Sequence, residues 1–69
     1  MKLAPVKSSN IKAIGHEGDR LRVQFHSGAV WEYDGVGARH HADLMAAKSV
    51  GAHFATNIRE RFKGRRIDK

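Results

Sequence analysis

Arg20-Leu21-Arg22-Val23-Gln24-Phe25-His26-Ser27-Gly28-Ala29-Val30-Trp31-Glu32-Tyr33-Asp34 is the stretch whose register decides the fold. Leu21, Val23 and Phe25 alternate with Arg20, Arg22 and Gln24, the period of a strand with one buried face. His26-Ser27-Gly28 is a turn signal, and Ala29 to Asp34 reads as the returning strand. A two-residue Ser27-Gly28 turn would pair Val23 with Glu32 and push Trp31 and Tyr33 out beside Arg22. A three-residue loop, His26-Ser27-Gly28, pairs Phe25 with Ala29, Val23 with Trp31 and Leu21 with Tyr33. Gly28 then takes the left-handed position of a bulge. One face becomes wholly apolar, and the other sets Arg22 opposite Glu32 and Arg20 opposite Asp34. A one-residue slip would invert every side chain, so burial selects the three-residue loop.

That register bears on function. Trp31 and Tyr33 among arginines would make a base-stacking platform if they faced solvent. In the selected register they join the core, and the outer face is charge-neutralised.

Outward from the hairpin, Asn10 to Ile14 reads as a first strand and Gly15-His16-Glu17-Gly18-Asp19 as a turn. Met1 to Ser8 shows no periodicity and reads as a loose lead-in. After Gly35-Val36-Gly37, Ala38 to Ala47 is rich in helix formers. Val36, His40, Leu44 and Ala47 follow helical spacing, with Met45 broadening the stripe. Ser49 suits the N-cap of a second helix. Val50, Phe54 and Ile58 lie at i, i+4 and i+8, one apolar stripe for the sheet. Gly64 is expected to end that helix. The expected fold is α+β: a three-stranded antiparallel β-meander followed by two short helices packed on one face. It forms a single domain over residues 1–69, with a core of about 6–67 and loose ends at 1–5 and 68–69.

The chain has 69 residues, 13 basic against 7 acidic, a net charge of +6. Residues 1–36 hold five basic and four acidic side chains, whereas residues 37–69 hold eight and three. The excess gathers at Arg59, Arg61, Lys63, Arg65, Arg66 and Lys69. Such a cluster suits a phosphate backbone or an acidic protein surface, and otherwise serves as a solvated, solubilising tail. Cysteine is absent, which excludes disulfides and thiol chemistry and fits a reducing cytoplasm. No apolar run approaches the roughly 20 residues of a membrane span. The expectation is a cytoplasmic protein.

Five histidines invite a metal, but neighbours such as His40 and His41 point about 100° apart on a helix. No HExxH motif is present. The aspartates do not converge, the serines fit turn and cap duties, and Gly35-Val36-Gly37 lacks the rest of a phosphate-binding loop. The sequence therefore points to no catalytic residue, no cofactor and no metal.

The order of Ser8-Ser9-Asn10-Ile11, Ile14-Gly15, Leu21-x-Val23-x-Phe25, Gly28, Trp31-Glu32-Tyr33, Val36, Leu44, Ala47-x-Ser49, Gly51-x-x-Phe54 and Asn57-Ile58-Arg59, ending near Phe62, resembles the KTSC domain. That domain takes its name from its place at the C-terminus of some lysyl-tRNA synthetases. Where the family usually shows Tyr-x-Tyr, this chain has Trp31 in the first position. The resemblance implies a stand-alone bacterial or phage version of the domain, and its attachment to a tRNA synthetase suggests RNA binding. The expected interface is Arg59, Arg61, Lys63, Arg65 and Arg66, with Asn57 and Lys48. Its expected partner is nucleic acid, RNA favoured, or an acidic protein surface of the transcription or translation machinery.

Overall fold

The computed structural model describes residues 1–68. Its elements are β1 (Ala4–Pro5), β2 (Ile11–Glu17), β3 (Arg20–Phe25), β4 (Val30–Asp34), α1 (Ala38–Ala46), α2 (Val50–Phe54) and β5 (Gly64–Arg66). A wider π-helical turn over Ala55–Arg59 extends α2. The sheet is antiparallel throughout, in the order β1-β2-β3-β4-β5. No helix is long and apolar enough to cross a membrane among the described residues.

The β3–β4 hairpin has the three-residue register. Val23 faces Trp31, Leu21 faces Tyr33 and Arg22 faces Glu32. The Phe25 amide donates to Ala29 O at 2.9 Å and the Gly28 amide to Phe25 O at 3.0 Å. Gly28 sits at φ 101°, a conformation that a Cβ would strain.

The sheet has five strands where three were expected. Ala4 and Pro5, read as a loose lead-in, pair with Ile14 and Ala13 on β2. β2 itself runs through His16 and Glu17, leaving only Gly18 and Asp19 in the turn. At the other edge, Gly64 does not end a helix. It opens β5, which pairs Gly64 with Tyr33, Arg65 with Glu32 and Arg66 with Trp31. Asp68, expected in a loose end, accepts from the Val30 amide at 3.1 Å. Lys69 of the basic run lies outside the described residues. Two- and three-residue edge strands carry too little pattern to be read locally; their pairing is decided by the strand beside them.

Ile11, Ile14, Leu21, Val23, Tyr33, Val36, Leu44, Val50, Phe54 and Ile58 form the core. The Val50-Phe54-Ile58 stripe is buried as its spacing predicts. Ser49 caps α2, its Oγ accepting from the Ala52 amide at 3.3 Å. α1 is rotated from the expected stripe: His40 and Met45 are exposed, and only Leu44 is buried. His41 turns inward and stacks on His16, ring centroids 4.7 Å apart. His16 Nε2 in turn donates to Val36 O at 2.7 Å. These contacts fix α1 against β2 through imidazoles, side chains that a hydrophobicity pattern does not count as core.

Glu32, on the face opposite the helices, is only 3% exposed. Arg22 Nη2 donates to Oε2 and Arg65 Nη2 to Oε1, each at 2.8 Å. Arg65 also donates through Nη1 to Asp34 at 3.0 Å. Arg20 was the expected partner of Asp34; β5 puts the Arg65 guanidinium there instead. Arg22 Nε is buried without a partner among the described residues, so Arg22 grips Glu32 through one nitrogen. The Arg22 hydrogen bond holds the Glu32 carboxyl below the usual carboxylate range, against the opposing effect of burial.

Removing a buried charge strands its partners. Glu32→Gln should cost about 2 kcal/mol and lower Tm by roughly 10 °C in thermal unfolding. Arg20→Gln should stay within about 0.5 kcal/mol; a larger loss for Arg20→Gln than for Glu32→Gln would contradict the assignment of these ion pairs.

Acid should lower the stability of the protein in two windows of pH. Burial, and then the neighbouring His16, push the His41 pKa down. Its contribution is present above the unfolded value of about 6.5 and is lost as pH falls below it. Glu32 has the same sign in a lower window, below about pH 4.3. Denaturant titrations at stepped pH should show both declines, and His41→Leu should abolish the first alone. Flat stability between pH 7 and 5 would exclude the His41 contribution.

Candidate functional site

Residues far apart in sequence meet where the β1–β2 loop touches the start of α2. Ser8 organises that loop, its Oγ accepting from the Asn10 and Ile11 amides, both at 3.2 Å. Gly51 allows the close approach of the helix, because a Cβ there would stand 3.1 Å from Ser8 Oγ. From the hairpin, the His26 amide donates to Asn10 O and His26 Nε2 donates to Ser8 O, each at 2.9 Å. Loop, helix and hairpin turn are thereby locked together.

Two clefts open at this junction. The first, about 420 Å³, is lined by Lys7, Ser8, Ser9, Asn10, Lys48 and Ser49 with the first turns of α2. The second, about 380 Å³, is lined by Ser9, Asn10, Phe25, His26, Ser27 and Arg59. Ser9 and Asn10 belong to both. No carboxylate lines either cleft. Lys7, Lys48 and Arg59 form no ion pair among the described residues.

Arg59 reaches the second cleft from the π-helical turn. A π turn widens the helix and leaves carbonyls poorly matched to the usual amides. Side chains supply donors here: Thr56 Oγ1 donates to Ala52 O at 3.0 Å, and Asn57 Nδ2 to His53 O at 3.3 Å. Asn57, expected at the interface, is thus engaged by its own helix, and it lines neither cleft. Arg59 also lies near Tyr33, whose pKa burial pushes up and Arg59 partly pulls back.

The expected basic interface divides in two. Arg61 and Lys63 are exposed on the turn between Arg59 and β5 and form no ion pair among the described residues. Arg65 is bound to Glu32 and Asp34. Arg66 clamps Asp68 through Nε at 2.8 Å and Nη2 at 3.1 Å. That clamp, with the Val30 amide, holds the Asp68 carboxyl well below the usual carboxylate range. Arg65 and Arg66 are therefore neutralised on the sheet edge, whereas Lys48 and Arg59 stand at the clefts. Sequence reasoning left Lys7, Ser9, Asn10 and Phe25 out of the site. For Ser9, Asn10 and Phe25 the signal was the resemblance itself, since Ser8-Ser9-Asn10, Phe25, Ser49, Gly51 and Arg59 all carry it and all line the clefts, whereas Lys7 had no such signal.

Trp31 is half-buried and stacks on Tyr33, ring centroids 6.4 Å apart. Its indole serves packing at the edge of the core, not an exposed stacking platform. No group of three or more histidine, aspartate or glutamate side chains is placed to hold a metal among the described residues.

Comparison with known proteins agrees with this architecture. An uncharacterised protein of Stutzerimonas stutzeri (strain A1501) is 34% identical over 56 residues, covering 78% of this chain and 79% of that one. The crystal structure of a KTSC domain protein from Yersinia pestis superposes with a TM-score of 0.90 at 37% identity, covering 96% of both chains. Residues 7–62 match the KTSC domain family, a span that includes every residue lining the two clefts, and the chain belongs to that family.

Proposed function

We propose that this protein is a non-catalytic RNA-binding domain that holds the phosphate backbone through Lys7, Lys48, Arg59, Arg61 and Lys63. One observation carries the reading: these cations have no carboxylate partner among the described residues, and three of them flank clefts that no carboxylate lines. An unpaired cation keeps its full attraction for phosphate, whereas one already held by a carboxylate must break that pair first. Arg65 and Arg66 are therefore assigned to the fold and not to the ligand. The clefts offer hydroxyls and an amide beside the cations, the groups that position a nucleic-acid backbone without reading its sequence. The second cleft holds Ser9, Ser27 and His26, but His26 Nε2 is engaged with Ser8 O and Ser27 Oγ accepts from the Ala29 amide, so no hydroxyl is paired with a base and the reading is binding without chemistry.

Binding of a short single-stranded RNA should weaken linearly with the logarithm of salt, by a slope of about 0.7 per neutralised phosphate. Replacing Arg59, Arg61 and Lys63 together with Gln should reduce that slope by about two units. Replacing Arg65 and Arg66 with Gln should lower Tm and leave the slope nearly unchanged. Fluorescence anisotropy over a salt series measures both. The assignment fails if the Arg65/Arg66 pair carries the slope. RNA binding itself fails if no salt-dependent complex forms and a nuclease-treated lysate yields a stoichiometric protein complex instead.

A further inference from the structure

The two clefts differ in chemistry in a way that fits the two halves of one small ligand. The first offers the Lys7 and Lys48 ammonium groups with the Ser9 and Ser49 hydroxyls, and no aromatic side chain. Such a set suits a compact anion bearing several acceptor oxygens. The second offers planar groups: the half-buried Phe25 ring, the His26 imidazole and the Arg59 guanidinium, beside the Asn10 amide. Aromatic rings and guanidinium planes stack on nucleobases, and a side-chain amide can both donate to and accept from a base edge. Ser9 and Asn10 line both clefts and stand between them.

We infer that the paired clefts form one site for a single nucleotide, its phosphate between Lys7 and Lys48 and its base against Phe25 and Arg59. The inference rests on the RNA-binding reading and deepens it, by making the ligand an unpaired nucleotide of a single strand. A base inside a duplex shows only its edges and could not enter the second cleft; an unstacked base presents its face. The partition between the clefts is built before any ligand arrives. Ser8 Oγ holds the Asn10 and Ile11 amides, and His26 holds Ser8 O and Asn10 O, four hydrogen bonds of 2.9 to 3.2 Å. A preformed partition lowers the ordering cost that a small ligand must overcome. Each cleft also falls within the size range of small-ligand sites, at about 420 and 380 Å³.

Amide chemical shifts of the full chain, titrated separately with adenosine 5′-monophosphate, adenosine and inorganic phosphate, test this arrangement. The nucleotide should move the amides of Ser9, Asn10 and Lys48 to Gly51 together with those of His26 and Ser27, on one saturation curve. Phosphate should move only the first group and adenosine only the second. Lys48→Gln should weaken the nucleotide about tenfold and leave the adenosine curve unchanged. Ser9→Trp, a substitution at an exposed residue shared by the clefts, should abolish both responses without lowering Tm. A Tm loss in Ser9→Trp would leave Lys48→Gln to decide. A free mononucleotide and a strand are separated by an eight-residue single-stranded RNA. It should move the same amides at lower concentration, and a matched duplex should not. The inference is overturned if the nucleotide binds no better than phosphate, or if the RNA shifts only the Arg61 to Arg66 amides. The latter result would leave the RNA-binding reading standing, whereas absence of RNA binding at any salt would remove both.

Discussion

Glu32 is the buried charge on which the rest of the arrangement depends. A carboxylate excluded from water must be met by donors, and here they come from strands on both sides: Arg22 on β3 and Arg65 on β5. The pairing therefore does more than neutralise. It fixes the register of β3 against β4 and gives β5 a reason to join the sheet, although β5 is only three residues long. Arg65 extends the same ladder to Asp34. At the last turn of the chain, Arg66 and Asp68 close a second pair that also holds Val30 N–H. The edge of the sheet is thus sealed by charge where a longer strand would have used backbone bonds alone.

This sealing decides which cations remain available. Counting charge along the sequence gives one continuous basic tail, but the fold sorts it by partner. Arg65 and Arg66 are held; Arg59, at the end of the π-helical turn, and Arg61 and Lys63, on the exposed turn before β5, are not. Lys7 and Lys48, distant in sequence from the tail, come to the same side as Arg59 because Gly51 lets α2 abut the Ser8 turn. The π-helical turn contributes by carrying Arg59 to the second cleft while Thr56 and Asn57 donate to carbonyls of the preceding turn.

Much of the fold was legible in local pattern. Alternation and the position of Gly28 gave the hairpin register, and the Val50-Phe54-Ile58 spacing with Ser49 gave α2 and its buried face. What escaped had no local signature. β1 and β5 exist because β2 and β4 offer open edges, a property of the sheet and not of Ala4–Pro5 or Gly64–Arg66. The rotation of α1 was missed because His41 is held by stacking on His16, an interaction that hydropathy spacing does not register. The site was legible only in part: Arg59 and Lys48 were named, but Arg65 and Arg66 were grouped with them because their partners, Glu32 and Asp68, become visible only once β5 is placed. Asn57 lines neither cleft for a related reason, since a half-buried amide next to a π turn has a backbone acceptor at hand.

The placement of the clefts follows from how little surface a chain of 69 residues can leave uncommitted. The inner face of the sheet is filled by the two helices, and the outer face is closed at its centre by Arg22, Glu32 and Arg65 and near Gly15 by Met1 and Leu3. The clefts then come from loops, which are held only by their contacts with one another. The β1–β2 loop, the hairpin turn, the start of α2 and the π turn each supply a few groups, and none forms a cleft alone. Such a site is present only when the whole chain is folded. Any ligand that occupies it binds the native state and not the unfolded one, so it must stabilise the fold as it binds. The Glu32 ladder lies on the opposite face from Phe25, yet through β3 and β4 it supports the hairpin whose turn carries His26 and Ser27. Weakening that ladder therefore weakens the site by reducing the folded population, without any change to a residue that lines it.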